Sequence, residues 1–544
     1  MKFLLFGFAI FMALLTTSCM KKKQVDLIIT NGNIYTVNDS FEKAEAFAII
    51  NGKFIAVGTS KEINKNYKSS LKINAEGKTI VPGFVNSYCN FYKLGLSMQE
   101  IDLNGTKSFD EVMQRTIAFN EERNSDFILG SGWDQNNWEN KVLPTKEELD
   151  KNFPNTPVVL QNQDTNILLV NQATLDLAKI DQDTEVDGGE IIKKQGELTG
   201  IITGDAKLLV KKIIPKGSLK NSIQALRDAE KYCITVGFTT IDDAGLDQEL
   251  INLIDSLQLE GIMKIRVYAM VNANEKNLNY YLKHGIFKSE RLNVRSFKVL
   301  ADGALGARNA LLKESYSDKE NYIGDLRTSS DSIVLTAHRI INSDFQMNTY
   351  AIGDSANSFI LKTYANTIKS QTNRRWRIEH AQVISKEDLD YFTEIIPSIQ
   401  PAHALSDLYS PKDRLGSKRI KNAFAFKKLL QINGRIALGT DFTDGNLNPM
   451  YTFYAAVARK DLSGYPKGGF EIENSLSRVE TLKGMTIWAA YANFEEKEKG
   501  SIETGKFADF LILDQNLMEV NIEEVPNTKV LKTYLNGELV SSLN

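Results

Sequence analysis

Histidine is the scarce residue with most to say in this chain: His284, His338, His380 and His403 are the only four in 544 residues. Imidazole is the usual ligand of catalytic zinc, so a site built from four histidines would need all of them. Cysteine is scarcer, and Cys19, Cys89 and Cys233 are too few for a disulfide framework. Neither sign of charge is in excess. The 65 Lys and Arg stand against 68 Asp and Glu, a net charge of -3, which excludes a nucleic-acid binder working through a uniformly basic surface. The apolar run from Phe3 to Leu15 is shorter than the roughly 20 residues that span a bilayer. What is present, 42% apolar and 24% charged residues, is enough to bury a substantial core.

The N-terminus reads as a secretory signal: Lys2, the apolar run, then the small residues Thr16-Thr17-Ser18 before Cys19. These small residues resemble a bacterial lipobox, which implies removal of residues 1–18 and a lipid on the sulfur of Cys19. The expected location is then the bacterial cell envelope, outside the cytoplasm, with Lys21-Lys22-Lys23 as a tether near the membrane. A plain secretory signal is the alternative.

Three segments share one design, centred on Asn31-Gly32, Asn51-Gly52 and Asn536-Gly537 between strands rich in Ile, Val, Phe and Tyr. Asn-Gly supplies the two positive-φ residues of a tight hairpin. Two hairpins at the front and one at the back predict a composite β-sandwich from residues 25–80 and 500–544. Between them, short apolar strands alternate with amphipathic stretches. Strands are expected at Thr79 to Val85, Phe238 to Asp242, Ile265 to Val271, Ser296 to Ala301, Thr349 to Ile352, Trp376 to Glu379, Ile396 to Gln400 and Arg435 to Leu438. Helices are expected at Ser332 to Ile341, Ser355 to Tyr364 and Asn422 to Leu430. This alternation over residues 81–498 suits a (β/α)8 TIM-like barrel of the α/β class, with a doubly wound sheet as the alternative, and with a subdomain inserted at about 102–216.

In such a barrel, polar residues at the C-terminal strand ends point into the active-site mouth. The candidates are Tyr88-Cys89-Asn90, Asp242-Asp243, Lys298 with Asp302, Tyr350, His380, His403 and Asp441. Here an ordered set of motifs is legible: Pro82-Gly83-Phe84-Val85, Gly132-Trp133-Asp134-Gln135, Lys298 through Asp302-Gly303-Ala304-Leu305-Gly306, Ala351-Ile352-Gly353-Asp354, Glu379-His380-Ala381-Gln382, Gln400-Pro401-Ala402-His403, Leu438-Gly439-Thr440-Asp441 and Gly505 through Asp509. The set resembles the amidohydrolase superfamily, in the branch called amidohydrolase family 3. The resemblance implies the barrel with its composite sandwich, and hydrolysis of non-peptide C–N bonds by metal-bound water.

The same motifs mark departures. Family members carry His-X-His where this chain has Tyr88-Cys89-Asn90, a histidine where it has Tyr350, and often one where it has Asn166. Strand alternation turns Cys89 away from the interior if Tyr88 and Asn90 face it. The resemblance leaves Lys298, carboxylated in many relatives, with His380 and Asp441 as ligands of one divalent ion such as zinc, and Asp441 as general base and then acid. Without metal, Lys298 and Asp441 read as a buried ion pair. Trp133, Asp134, Asp302 and His403 are candidate substrate contacts, three of them with a structural alternative: core for Trp133, a tight turn for Asp302, a pairing with Asp407 for His403. His284 and His338 read as surface residues and Cys233 as a small buried hydrophobe. Two functions stay open. One is a lipid-anchored hydrolase of a small amide, carbamate or cyclic ureide; the other is a lapsed enzyme whose Tyr88, Asn90 and Tyr350 line a site for a small ligand or a partner.

Overall fold

The computed structural model describes residues 22–163, 166–215, 217–406, 411–443 and 445–543, so the signal pattern, Cys19 and Asp407 lie outside it. Two compact units result, one of residues 1–91 with 230–544 and one of 92–229.

The first unit holds the barrel. Its strands are β1 (Phe84–Cys89), β2 (Phe238–Leu246), β3 (Arg266–Asn272), β4 (Leu292–Leu300), β5 (Gln346–Ala351), β6 (Arg377–His380), β7 (Ile396–Ile399) and β8 (Ala437–Leu438), paired in chain order and all parallel. Covered on both sides, they are buried almost throughout, as parallel strands require. The seam between β8 and β1 is closed by irregular backbone. Asp441 N donates to Tyr88 O at 3.0 Å and Asn90 N to Phe442 O at 2.7 Å. The Asn86 side chain staples the same seam, donating to Thr440 Oγ1 at 2.7 Å and accepting from Thr440 N at 3.0 Å. Gly439 permits the approach, because a Cβ there would meet the Tyr88 backbone N and O at 2.8 Å.

The expected first strand, Thr79 to Val85, is divided. Thr79–Pro82 pairs antiparallel with Phe510–Leu513 and parallel with Asn33–Tyr35, and the barrel strand begins only at Phe84. Gly83 makes the handover, since a Cβ there would lie 2.2 Å from Thr239 Oγ1. Asn51-Gly52 and Asn536-Gly537 form two-residue hairpins with φ of 49° and 74°, and of 49° and 72°. Asn31-Gly32 does not. Leu27–Thr30 pairs with Ala46–Ile50 and Leu71–Asn74, whereas Asn33–Tyr35 pairs with Lys43–Ala44 and Thr79–Pro82, so this turn carries the chain from one sheet to another. Leu27, Phe47 and Phe54 of the four-stranded sheet share one core with Ile80, Phe510 and Tyr534 of the six-stranded sheet.

Helices occupy Ser330–Ile340, where Ser329 caps the first turn, and Asp354–Ile368. The stretch expected as Asn422 to Leu430 starts later, at Phe426, because Phe424 takes a left-handed φ of 53°. No described helix is long and apolar enough to cross a membrane.

The second unit is a six-stranded mixed sheet with helices, its core formed by Trp133, Trp138, Leu149, Leu160 and Leu169.

The seam makes a test of the barrel. Asn86→Ala leaves the N–H and hydroxyl of Thr440 buried without their partner, which costs about 1–3 kcal/mol, so its unfolding midpoint in urea should fall below that of the wild type. An unchanged midpoint would show that the backbone bonds alone close the barrel.

Candidate active site

Three strand ends converge. His380 is the last residue of β6, Asp441 lies three residues beyond β8, and His403 opens a short helix, His403–Ser406, after β7. His403 Nε2 is 3.1 Å from Asp441 Oδ2 and His380 Nε2 is 3.8 Å from the same oxygen. One donor atom from each residue fits within 4.8 Å of the other two. His380 and Asp441 both take left-handed backbone angles, φ of 74° and 53°. For residues other than glycine these are strained, and strain held at a cluster of polar groups marks a site whose geometry the surroundings impose.

His380 is buried, and neither ring nitrogen has a hydrogen-bond partner. Burial, and then the neighbouring charges of His403 and Lys298, push its pKa well below the usual histidine value. The imidazole is therefore neutral and keeps a lone pair available to a Lewis acid. Two imidazoles and a carboxylate are a donor set that suits zinc, and an orphaned buried nitrogen is what a ligating histidine looks like without its ion. His403, read from the sequence as a substrate contact, thus belongs to this cluster.

The replaced positions surround it. The Tyr350 ring meets His380 edge-on at 4.3 Å and the Tyr88 ring at 5.1 Å. Tyr88 packs with Ala244, Tyr268, Met270 and Tyr350. Lys298 sets its ammonium 3.2 Å from the Ala244 carbonyl and 5.2 Å from the centre of the Tyr88 ring. Half-buried Asn90 donates to Phe442 O at 3.4 Å. β1 changes register between Asn86 and Cys89, and the Cys89 thiol donates to Asp242 O at 3.5 Å. Burial raises that thiol well above its usual pKa, so it offers no thiolate.

Charged groups also fill the barrel interior. Arg377 Nη1 donates to Asp242 Oδ2 at 3.1 Å and lies 3.9 Å from Glu379, and Asn493 donates to Asp242 Oδ1 at 2.6 Å. Burial pushes Asp242 up to about 6 and Glu379 up to about 8, against the pull of Arg377. Arginine inside a strand that is otherwise buried was a usable signal for this network. Its partner Asn493, 116 positions away, was not.

Other candidates have structural duties. Asp302 is buried, and its carboxylate accepts from the backbone N–H of Leu311, Ile352 and Gly353 at 2.9, 2.9 and 2.8 Å, tying a loop to the end of β5. Trp133, expected to contact substrate, is 0% exposed, stacks on Trp138 and donates to Leu160 O, so it is core. Asp134 caps the turn Gln135–Asn137 by accepting from Asn136 N at 2.9 Å. Asn166 is exposed, and His284 and His338 are exposed on their helices.

The amidohydrolase family model matches residues 72–541. The chain belongs to the amidohydrolase family. The chain is similar to the Arabidopsis thaliana protein LONG AFTER FAR-RED 3, 31% identical with 94% of this chain and 91% of that one covered, and to the Bacillus subtilis (strain 168) protein named "Putative amidohydrolase YtcJ", 29% identical with 94% and 98% covered. A crystal structure of an uncharacterized metal-dependent hydrolase from Pyrococcus furiosus superposes with a TM-score of 0.74 at 26% identity, covering 91% of this chain and 100% of its own. An α/β barrel with helices is common ground for the family and this chain.

Asp302 offers a pH test. Burial raises its folded pKa from 3.8 to about 6, so between those values the folded state holds a proton that the unfolded state releases. The stability Asp302 confers is then greatest below the lower value and is lost as pH rises through about 6. Unfolding free energy of the wild type minus that of Asp302→Asn should decline across this window. A flat difference would assign the titration elsewhere.

Proposed function

We propose that this protein is a metal-dependent hydrolase of a non-peptide C–N bond in a small molecule, such as an amide, carbamate or cyclic ureide. The observation that carries the reading is buried His380, with both ring nitrogens unpaired, beside His403 and Asp441. Family membership and the metal-dependent hydrolase of like fold support it.

His380, His403 and Asp441 would hold one divalent ion such as zinc. That ion supplies a Lewis acid and lowers the pKa of a water molecule to about 7. His380 stays neutral and does not compete for the proton. The Asp441 carboxylate takes the proton from the attacking water and returns it to the leaving nitrogen. Lys298, close enough for its charge to act on His380, contributes positive charge where the carbonyl oxygen becomes negative. Tyr88 and Tyr350 narrow the space around His380 and exclude bulk water.

A second reading, a ligand-binding protein that has lost catalysis, is favoured by those same two rings, because they stand against His380 where the family resemblance expects imidazoles. Elemental analysis separates the two. The enzyme reading expects about one equivalent of zinc, manganese or iron per chain after metal-supplemented expression, its loss in His380→Ala and Asp441→Asn, and turnover of an amide, carbamate or ureide panel that chelation abolishes. Metal-free protein without turnover would leave the binding reading.

We also infer a lipid anchor at Cys19 in the cell envelope, from the lipobox-like Thr16-Thr17-Ser18. Mass spectrometry of the mature N-terminus should find a lipidated Cys19, and Cys19→Ala should move the protein from the membrane to the soluble fraction. A membrane fraction unchanged by the substitution would end this inference.

A further inference from the structure

Arg459 lies outside the catalytic cluster. It caps helix Pro449–Ala458 at a φ of 55°, and its side chain is fully buried. Nε donates to the Phe470 carbonyl at 2.9 Å, and the guanidinium sits 4.7 Å from the centre of the Phe426 ring and 5.3 Å from that of Phe470. Aromatic faces attract the cation but accept none of its conventional hydrogen bonds. Nη1 and Nη2 are buried, and neither has a partner among the described residues. Burial brings the group down to about 9, although the carboxylates of Glu471 and Glu473 act to raise it. Those two carboxyls hydrogen-bond to each other.

Two more buried polar side chains lie along the same stretch. Phe470 N donates to Arg459 O at 2.7 Å and Leu476 N to Ala456 O at 2.9 Å, so residues 470–476 run back along the helix. Asn474 falls between these two bonds, and both of its amide atoms are buried without partners. Thr452, one turn before Ala456, shares the helix face that Ala456 presents to this stretch, and its hydroxyl is likewise buried and unpaired. Guanidinium offers only donors, and the amide and hydroxyl each bring donors together with an acceptor oxygen, so donors outnumber acceptors. Glu471 and Glu473 act on the guanidinium through space but give Nη1 and Nη2 no hydrogen bond, and buried donors left without an acceptor are costly, so these donors call for an acceptor beyond the described side chains.

We propose that Arg459, with Asn474 and Thr452, forms a buried binding site for a small inorganic anion of chloride size, which locks residues 459–476 onto the helix that follows β8. Burial of the guanidinium restricts the occupant to a small ion, and the excess of donors makes it an anion.

The probe is halide. The full chain is heated in chloride, in bromide and in gluconate at matched ionic strength, and crystals are grown in bromide. Chloride and bromide should raise Tm saturably by a few degrees over gluconate. An anomalous bromide peak should lie within hydrogen-bond reach of Nη1 and Nη2. Arg459→Met should abolish the halide response, and Asn474→Ala should raise the chloride concentration at half effect roughly tenfold, the loss of one hydrogen bond to a charged group. A Tm indifferent to the identity of the anion, or bromide crystals without that peak, overturns the proposal. The halide series and the bromide crystals both use the wild-type protein, so they test the site even if Arg459→Met fails to fold.

Discussion

The seam between the last and first barrel strands is the constraint on which the rest of the structure depends. β8 is only two residues long, and beyond it the chain is held to β1 by Asp441 N on Tyr88 O and by the Asn86 amide on Thr440. Those bonds decide where Asp441 stands. Opening the seam would detach the carboxylate from the two imidazoles that approach it from β6 and β7. Gly439 belongs to the same constraint, because any side chain there would collide with the backbone of β1.

A second constraint operates inside the barrel. Arg377, Asp242, Glu379 and Asn493 place ionisable and polar groups in a region almost closed to solvent, where Arg377 and Asp242 pair and Asn493 hydrogen-bonds Asp242. Such a layer is costly to build and specifies one arrangement of β2 and β6. It also bounds the catalytic cluster, since Glu379 precedes His380 on the same strand. The neutral state of His380 follows from burial first and then from its neighbours His403 and Lys298.

Much of the fold was legible in the chain. The alternation of short apolar strands with amphipathic stretches located seven of the barrel strands near their observed places, because buried parallel strands must be apolar on both faces. The division of the first at Gly83 was hidden, since both halves are apolar and only their pairing partners differ. The Asn31-Gly32 turn misled for a similar reason: its residues suit a hairpin, but its two strands belong to different sheets. Of the site, His380 and Asp441 could be read from their motifs. The place of His403 could not, because a residue four positions past a strand can point in several directions until a helix begins there.

By itself the sequence determined the class of fold and the shortage of imidazole. Periodicity and turn chemistry are local properties, and a count of four histidines limits any metal site whatever the fold. The tertiary structure alone decided which of the four meet, that Trp133 is core and Asp302 a loop anchor, and that Arg459 is buried with two unpaired nitrogens. These outcomes depend on contacts between residues far apart in the chain, and both burial and hydrogen bonding are properties of the neighbours that folding supplies.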